Sequence, residues 1–428
     1  LMMQDVNGTT GTSQRIRIRG ANSLSLSNEP LVVVDGVLIN NNFGGFGVGG
    51  QEPNRLNDIN PNDISNVEVI KGPAASAQYG TAAANGVIVI TTKRGAPGLT
   101  QWEFFAETGE LEDITTYPAN WASYQAVDPS QPLYAASGAL NTAAYGYCPN
   151  WAAGEGRCRQ DGTISFNTLM DPRTRMYGTG SRNRFGASVR GGNADVRFFF
   201  SGQFEDETGI ISYNTQEKAN IRANIDAKLS ESVDASVSIG YTNSTLGLNS
   251  NDNSIFSPLI QGLLGLPFYL QPNDDGSVNA SNYGFGFSIE DLSNLIAFQD
   301  TDRFTSSANL RWRPTSWLQF NANGGLDIAN LHDYETLQPG KLPIAVSYAR
   351  GYRQSQRSTA INYTAIFSGV GTFQLTDDVV STTTVGTAYG QENSRNTYCY
   401  GSSLVPGTGS CGTTASLFDV DEDFFEVK

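Results

Sequence analysis

Histidine is nearly missing from this sequence: His332 is the only one in 428 residues. Imidazole is the usual general base and metal ligand near neutral pH; with His332 standing alone no Ser-His-Asp spacing stands out, and a histidine-built zinc site lacks its ligands. No paired-acid spacing suited to glycoside cleavage stands out either. Charged residues make up only 16% of the chain, and acids outnumber bases to give a net charge of −15. A surface of that sign repels phosphates, which argues against nucleic acid as a partner. No apolar run reaches the roughly 18 residues of a transmembrane helix. A transmembrane β-strand leaves no such peak, because it needs only about 9–11 residues of alternating pattern. The opening LMMQDVNGTT has neither the basic start nor the apolar core of a secretory leader, and the first residue is Leu1.

What is present is glycine, at 46 residues, and aromatics, at 11%. With abundant Asn, Ser and Thr this mixture suits strands and turns rather than helices. The stretch Val67 to Gly95, VEVIKGPAASAQYGTAAANGVIVITTKRG, sets a Gly/Ala/Ser loop between two apolar runs. A phosphate-cradling loop would need a Gly-Lys-Ser/Thr ending, but Gly72 precedes Pro73 and Gly80 precedes Thr81.

Two regions differ in texture. From about Gln14 to Gly95, short apolar strands (IRIRG, LVVVDGVLI, VEVIKG, GVIVITTKRG) alternate with loops, and INPNDIS can start a short helical turn. This reads as a small mixed α/β domain, with Asp35 and Gly36 turning between two strands. From Thr100 onward the pattern alternates. In EKANIRANIDAKLSE, Ile221, Ala223 and Ile225 share one face while Arg222, Asn224 and Asp226 share the other. Counting similar segments predicts about nine strands.

The links between those strands sort by parity. Those after the second, fourth, sixth and eighth strands are short; those after the odd strands are longer, and two are very long. An up-and-down barrel in an outer membrane has this property, with short periplasmic turns and long outer loops. Cys148 with Cys158 and Cys399 with Cys411 fall in two of the outer links, ten and twelve residues apart. That spacing suits local disulfides in an oxidising compartment; free thiols and a metal site are the alternatives. Trp121, Tyr124, Trp151, Phe268 and Tyr269 lie in the long links, where they can touch substrate, a partner protein or one another. Trp102, Trp312, Trp317 and Tyr241, near strand ends, suit membrane-interface belts. DVDEDFFE, holding Asp419, Asp421 and Asp423, reads as an acidic solvated loop, with calcium as the rival.

The block IRIRGANSLSLSNEPLVVVDGVLI followed by LNDINPNDISNVEVIKGPAASAQYGTAAANGVIVITTKRG resembles the plug domain of SusC/RagA-type TonB-dependent outer-membrane transporters. SRNRFGASVRGGNADVRFFFSGQFEDETGI and ANIRANIDAKLSESVDASVSIGYTNS resemble the first barrel strands of that family. The resemblance implies a mixed α/β plug domain over 1–99 inside an antiparallel transmembrane β-barrel that begins at 100–428. The full barrel would have about 22 strands, so about nine make a partial wall, and the sequence reads as a piece of a longer chain lacking the TonB-contacting box. Active import of oligosaccharides or peptides is implied, with the plug as gate. So are a TonB-type energy-coupling protein and a SusD-like surface lipoprotein as partners, the bacterial outer membrane as location, and no cofactor. A passive porin or a surface receptor or adhesin is the alternative. Plug-motif positions Gly72, Gly80, Asn85 and Gly86 would pack closely in the lumen. Arg17 and Arg19 of the IRIRG strand, with Glu68, Lys71, Lys93 and Arg94, either tether the plug to wall carboxylates or line a solvated face.

Overall fold

The computed structural model describes residues 2–5, 8–12, 14–18, 20, 28–39, 55–71, 79, 81–134, 139–250, 254–270, 277, 283–342, 348–405, 411 and 414–427. β1 (Met2–Asp5) and β2 (Gln14–Arg17) form an antiparallel pair. β3 (Leu31–Val34), β4 (Val37–Ile39), β5 (Ile64–Ile70) and β6 (Val87–Thr92) form a sheet in the order β4-β3-β6-β5, with β3 and β6 parallel. A parallel pair requires cover on both faces. One face packs Val32, Val34, Ile88 and Ile90 against Ile16 and Ile59. The other packs Val33 and Val87 against Ala83. The INPNDIS segment forms the expected helical turn, Pro61–Asp63, capped by Asn60, whose Oδ1 accepts from the Asn62 amide at 2.9 Å.

β7 (Gly98–Leu111) opens the second sheet. The link that follows is not structureless. It holds β8 (Asn120–Ala126), β9 (Tyr145–Tyr147) and β10 (Gly162–Phe166), a small sheet of its own. The large sheet resumes with β11 (Gly180–Gly192), β12 (Val196–Thr208), β13 (Thr215–Lys228), β14 (Val233–Gly247) and β15 (Leu295–Thr315). β16 (Leu318–Leu337), β17 (Tyr352–Thr376), β18 (Val379–Leu404) and β19 (Thr414–Val427) complete it. Every neighbouring pair is antiparallel, and β7 and β19 are the two edges.

The sheet has ten strands among the described residues, against about nine expected. The tenth is the acidic run. Asp419, Asp421 and Asp423 lie on β19, in register with Tyr400, Tyr398 and Asn396, not in a loop. Charge density masked the alternation of this segment, and backbone pairing to β18 overrode its poor strand propensity. The β19 side chains lie outside the described residues. Among the described residues no cluster of three or more His, Cys, Asp or Glu is arranged to hold a metal.

The parity of the links holds. Short turns at 193–195, 229–232, 316–317 and 377–378 share one end, and the links at 112–179, 209–214, 248–294, 338–351 and 405–413 share the other. The sheet is also inside out by the standards of a water-soluble protein. Phe104, Ile221, Tyr241, Phe367 and Val385 are exposed, while Gln203, Asn220, Asn224, Arg303 and Asp327 on the opposite face are buried. Apolar outward and polar inward is the lipid-facing arrangement of a transmembrane barrel wall. Its lower edge carries exposed Trp102, Trp312 and Trp317, with Trp312 stacked on Phe320 at 5.5 Å and Trp317 against Phe373 at 5.5 Å. Its upper edge falls just above Tyr241 and Phe304, where Asn243 donates to Asp302 at 2.9 Å on the exposed surface. Eight strand steps from Trp312 to Phe304, at about 3.4 Å each and tilted ~40°, span roughly 20 Å, close to the ~25 Å apolar band of such barrels. The strands continue past this band: β17 has 25 residues and β18 has 26.

Candidate functional site: the plug against the wall

The plug sits against the polar face of the large sheet, and two clusters of buried charge join them. The first surrounds the β3–β4 turn. Asp35 and Gly36 adopt φ of 49° and 86°, a left-handed pair that a two-residue hairpin requires. The turn presses on β16 so closely that a Cβ on Gly36 would lie 2.7 Å from Asn323 Nδ2. The Asp35 carboxylate, 2% exposed, accepts from the Thr92 amide at 3.0 Å and the Thr92 hydroxyl at 2.6 Å, both within the plug. From the wall it accepts Ser238 Oγ at 2.9 Å and Arg222 Nη1 at 3.4 Å. Arg94 joins Asp35 at 3.6 Å to Asp226 of the wall at 3.2 Å. Arg222 also reaches Asp63, at 3.6 Å. Burial pushes the Asp63 carboxyl up, and the Arg222 and Lys93 charges oppose that shift. Asn224 donates to the Thr92 hydroxyl at 2.8 Å and to the Lys93 carbonyl at 2.7 Å.

The second cluster centres on Arg303, which is 3% exposed. Its Nε and Nη2 grip Asp327 at 2.8 and 2.9 Å, a bidentate pair within the wall. Its Nη1 reaches across to Asp58 of the plug at 3.1 Å. Arg55 crosses the other way, donating to Thr301 Oγ1 at 2.9 Å and Gln299 Oε1 at 2.5 Å. The Asp58 carbonyl accepts from Asn220 at 3.1 Å and Thr242 at 2.9 Å. Charges so deep are tolerable only when paired, so each cluster fixes the plug in one position and leaves a strong penalty if one partner is withdrawn.

Of the residues singled out by sequence, Asp35, Gly36, Lys93 and Arg94 come together here. Gly86 has a φ of 94° and ends the turn Thr81–Asn85, its carbonyl accepting from the Leu31 amide at 3.0 Å. Glu68 and Lys71 are exposed on and beside β5, and Arg17 is half-buried on β2. Arg19, Gly72 and Gly80 lie outside the described residues. The expected polarity was guanidinium on the plug and carboxylate on the wall; Arg94–Asp226 follows it, but Arg222 and Arg303 reverse it. Arg55, Asp58, Asp63, Arg222, Arg303 and Asp327 escaped the sequence reading. The available signal was the run LNDINPNDIS, where acids cluster around a helical turn instead of a strand.

Above the plug, the two longest outer links pack into one cap. Cys148 is bonded to Cys158, and Cys399 to Cys411. Phe268 is buried against the β8–β10 sheet with Ala122, Tyr145 and Ile164, so it joins the two links and does not face solvent. Tyr124 meets Tyr145 edge-on at 5.4 Å. Trp121, Trp151 and Tyr269 stay exposed, with Arg157 over the Trp151 ring at 5.5 Å. Asn120 Nδ2 donates to the Gly262 and Gly265 carbonyls, both at 2.8 Å. Burial, with Asp113 accepting from the hydroxyl, pushes the Tyr117 phenol up to about 12. A Cβ on Gly262 would lie 2.2 Å from Leu169 Cδ2 at this seam. Gly262→Val is therefore expected to weaken the cap by about 1–3 kcal/mol, read as faster protease cleavage of both outer links with the rest of the sheet unchanged.

The TonB-dependent Receptor Plug Domain family matches residues 2–87. TonB-dependent receptor P26 of Formosa agariphila is 28% identical over 65% of this chain and 25% of its own length. TonB-dependent receptor SusC of Bacteroides thetaiotaomicron is 48% identical over 22% of this chain and 9% of its own. The solved RagAB peptide transporter shares the fold over 99% of this chain and 49% of its own, with a TM-score of 0.73 at 16% identity. The chain thus spans a quarter or less of these curated relatives and about half of the solved one. A plug held by buried charge against a wall that is apolar outside and polar inside, in a chain with these relatives, belongs to the SusC/RagA-type TonB-dependent receptors of the bacterial outer membrane, a family of receptors and not of enzymes.

Proposed function

We propose that this chain is the gate and part of the wall of an importer that draws large nutrients, oligosaccharides or peptides, across the outer membrane by TonB-dependent work. Residues 1–99 act as the stopper and 100–428 as wall and outer loops. Support comes chiefly from the two buried charge clusters. A stopper that must hold against leakage and yet be withdrawn needs contacts that are strong when complete and can be re-satisfied by water when pulled away. An energy-coupling protein of the TonB type supplies the pull from the inner membrane. A SusD-like surface lipoprotein covers the outer face, where Trp121, Trp151 and Tyr269 are exposed. A passive porin has no use for a domain held by buried ion pairs, and an adhesin has no use for a lumen.

The test is uptake by cells carrying the full-length protein. Collapse of the proton gradient with a protonophore is expected to cut uptake of a labelled nutrient at least about tenfold, since no other source of free energy drives withdrawal of the plug. Uptake that survives the protonophore supports the porin reading instead.

A further inference from the structure

Charge is segregated on the outside of the wall. Above the apolar band, β12, β13 and β15 expose Asp206, Glu217 and Asp302. The β16–β17 hairpin does the reverse. From His332 to Arg357 it holds two acids against four Lys and Arg residues, in a chain whose net charge is −15. Both acids, Asp333 and Glu335, are buried on the lumen side. Lys341, Arg350 and Arg357 are exposed, and Arg353 is half-buried. Among the described residues none of these four cations has a carboxylate within ion-pair reach. Arg353 and Arg357 share the exterior face of β17 with Ile361 and the exposed Tyr363. The Arg353 guanidinium lies over the Tyr334 ring at 5.1 Å, and that ring packs against Phe298 at 5.6 Å. Such a stack fixes the guanidinium and leaves its N–H donors free for an anion. This face looks away from the lumen, so further strands that close the barrel do not cover it.

Height selects the partner. Ile361 pairs with Ile328 near the top of the apolar band. Counting strand steps of about 3.4 Å tilted ~40°, Arg357 stands roughly 10 Å above Ile361 and Arg353 roughly 20 Å, with Lys341 and Arg350 on the link beyond. A phospholipid holds its phosphate directly against its acyl chains, too low to meet this ladder of cations. A glycolipid carries phosphates on its sugars and spreads them over such a height. We propose that the exterior of the β16–β17 hairpin is a docking surface for a phosphorylated glycolipid of the outer leaflet. Its acyl chains lie on Ile361 and Tyr363, and its sugar phosphates meet Arg357 and Arg353. Arg395, one strand further on, is left out of the site, because Glu422 of β19 is in register with the neighbouring Thr397. The site lies on the outside of the wall and goes beyond the import reading, since it is the same whatever the cargo.

Native mass spectrometry of the purified full-length protein tests it with three probes: lipopolysaccharide with a phosphorylated core, the same material after phosphatase treatment, and phosphatidylglycerol. The phosphorylated glycolipid is expected to be retained about tenfold or more tightly than either of the others, because each charge-assisted contact to phosphate is worth about that much. The double variant Arg353→Ser, Arg357→Ser is expected to bind all three alike. Equal retention of the phosphatase-treated form, equal retention of phosphatidylglycerol, or an unchanged preference in the double variant would each overturn the assignment. A hairpin shaped for an acidic protein partner instead predicts the first of these results. The phosphatase comparison needs no variant, so a folding defect cannot obscure the answer.

Discussion

Full-length protein carrying Arg303→Ala is expected to lose about 3–5 kcal/mol of plug anchoring, because the change takes the bidentate guanidinium from buried Asp327 and leaves Asp58 with the more distant Arg55, at 3.8 Å. Arg303 makes three charge-assisted contacts to these acids at 2.8, 2.9 and 3.1 Å. No small side chain replaces them. Hydrogen exchange of the segment 55–63 should rise by orders of magnitude, and the outer membrane should admit bulky hydrophilic antibiotics. Arg303→Lys should recover only part of the loss, since a single ammonium cannot reproduce the two-pronged grip on Asp327 while also reaching Asp58. Unchanged exchange over 55–63 in the alanine variant would show that Arg55 on the Asp58 carboxylate, with Asn220 and Thr242 on its carbonyl, is enough to hold the segment.

Asp35→Ala is the second large effect. It removes the carboxylate that faces Arg222, Arg94, Ser238 and Thr92, and it places alanine at a φ of 49°. Buried Arg222, left with Asp63 at 3.6 Å, accounts for most of an expected loss of about 3 kcal/mol, with about 1 kcal/mol more from the left-handed backbone. Asp35→Asn should be milder, because asparagine tolerates that backbone and keeps two acceptor positions. A double-mutant cycle with Arg222→Ala separates the pair from its surroundings. The double variant should be less destabilised than the sum of the single ones, by about 1–3 kcal/mol, because each single change deprives the other charge of its nearest ion partner. Simple additivity would mean that Asp35 is held by its plug partners and not by the wall.

Much of the architecture is legible in the residue order. Period-two alternation through Ile221, Ala223 and Ile225 marks a strand with two different faces, and the spacing of turns orders the strands and sorts their ends. The small sheet β8–β10 was not legible. Its strands run three to seven residues, too short for a period to show. The acidic run on β19 was misread for a different reason: its composition argued for solvent, while its partner strand fixed its conformation. The charge clusters were least accessible. Arg222 reads simply as one member of a polar face, because its partner Asp35 lies 187 residues away. Local pattern indicates that a face is polar, but only the folded chain tells which of its members meet a carboxylate and which meet water.

The length of the last strands has a mechanical consequence. A 26-residue strand such as β18, at about 3.4 Å per residue and ~40° of tilt, rises roughly 65 Å, against an apolar band of only ~25 Å. With its lower end at the periplasmic turn, most of the surplus stands above the lipid as a chimney. On the import reading, a nutrient arriving from outside would be screened by the rim of that chimney, tens of ångströms before it came level with the bilayer.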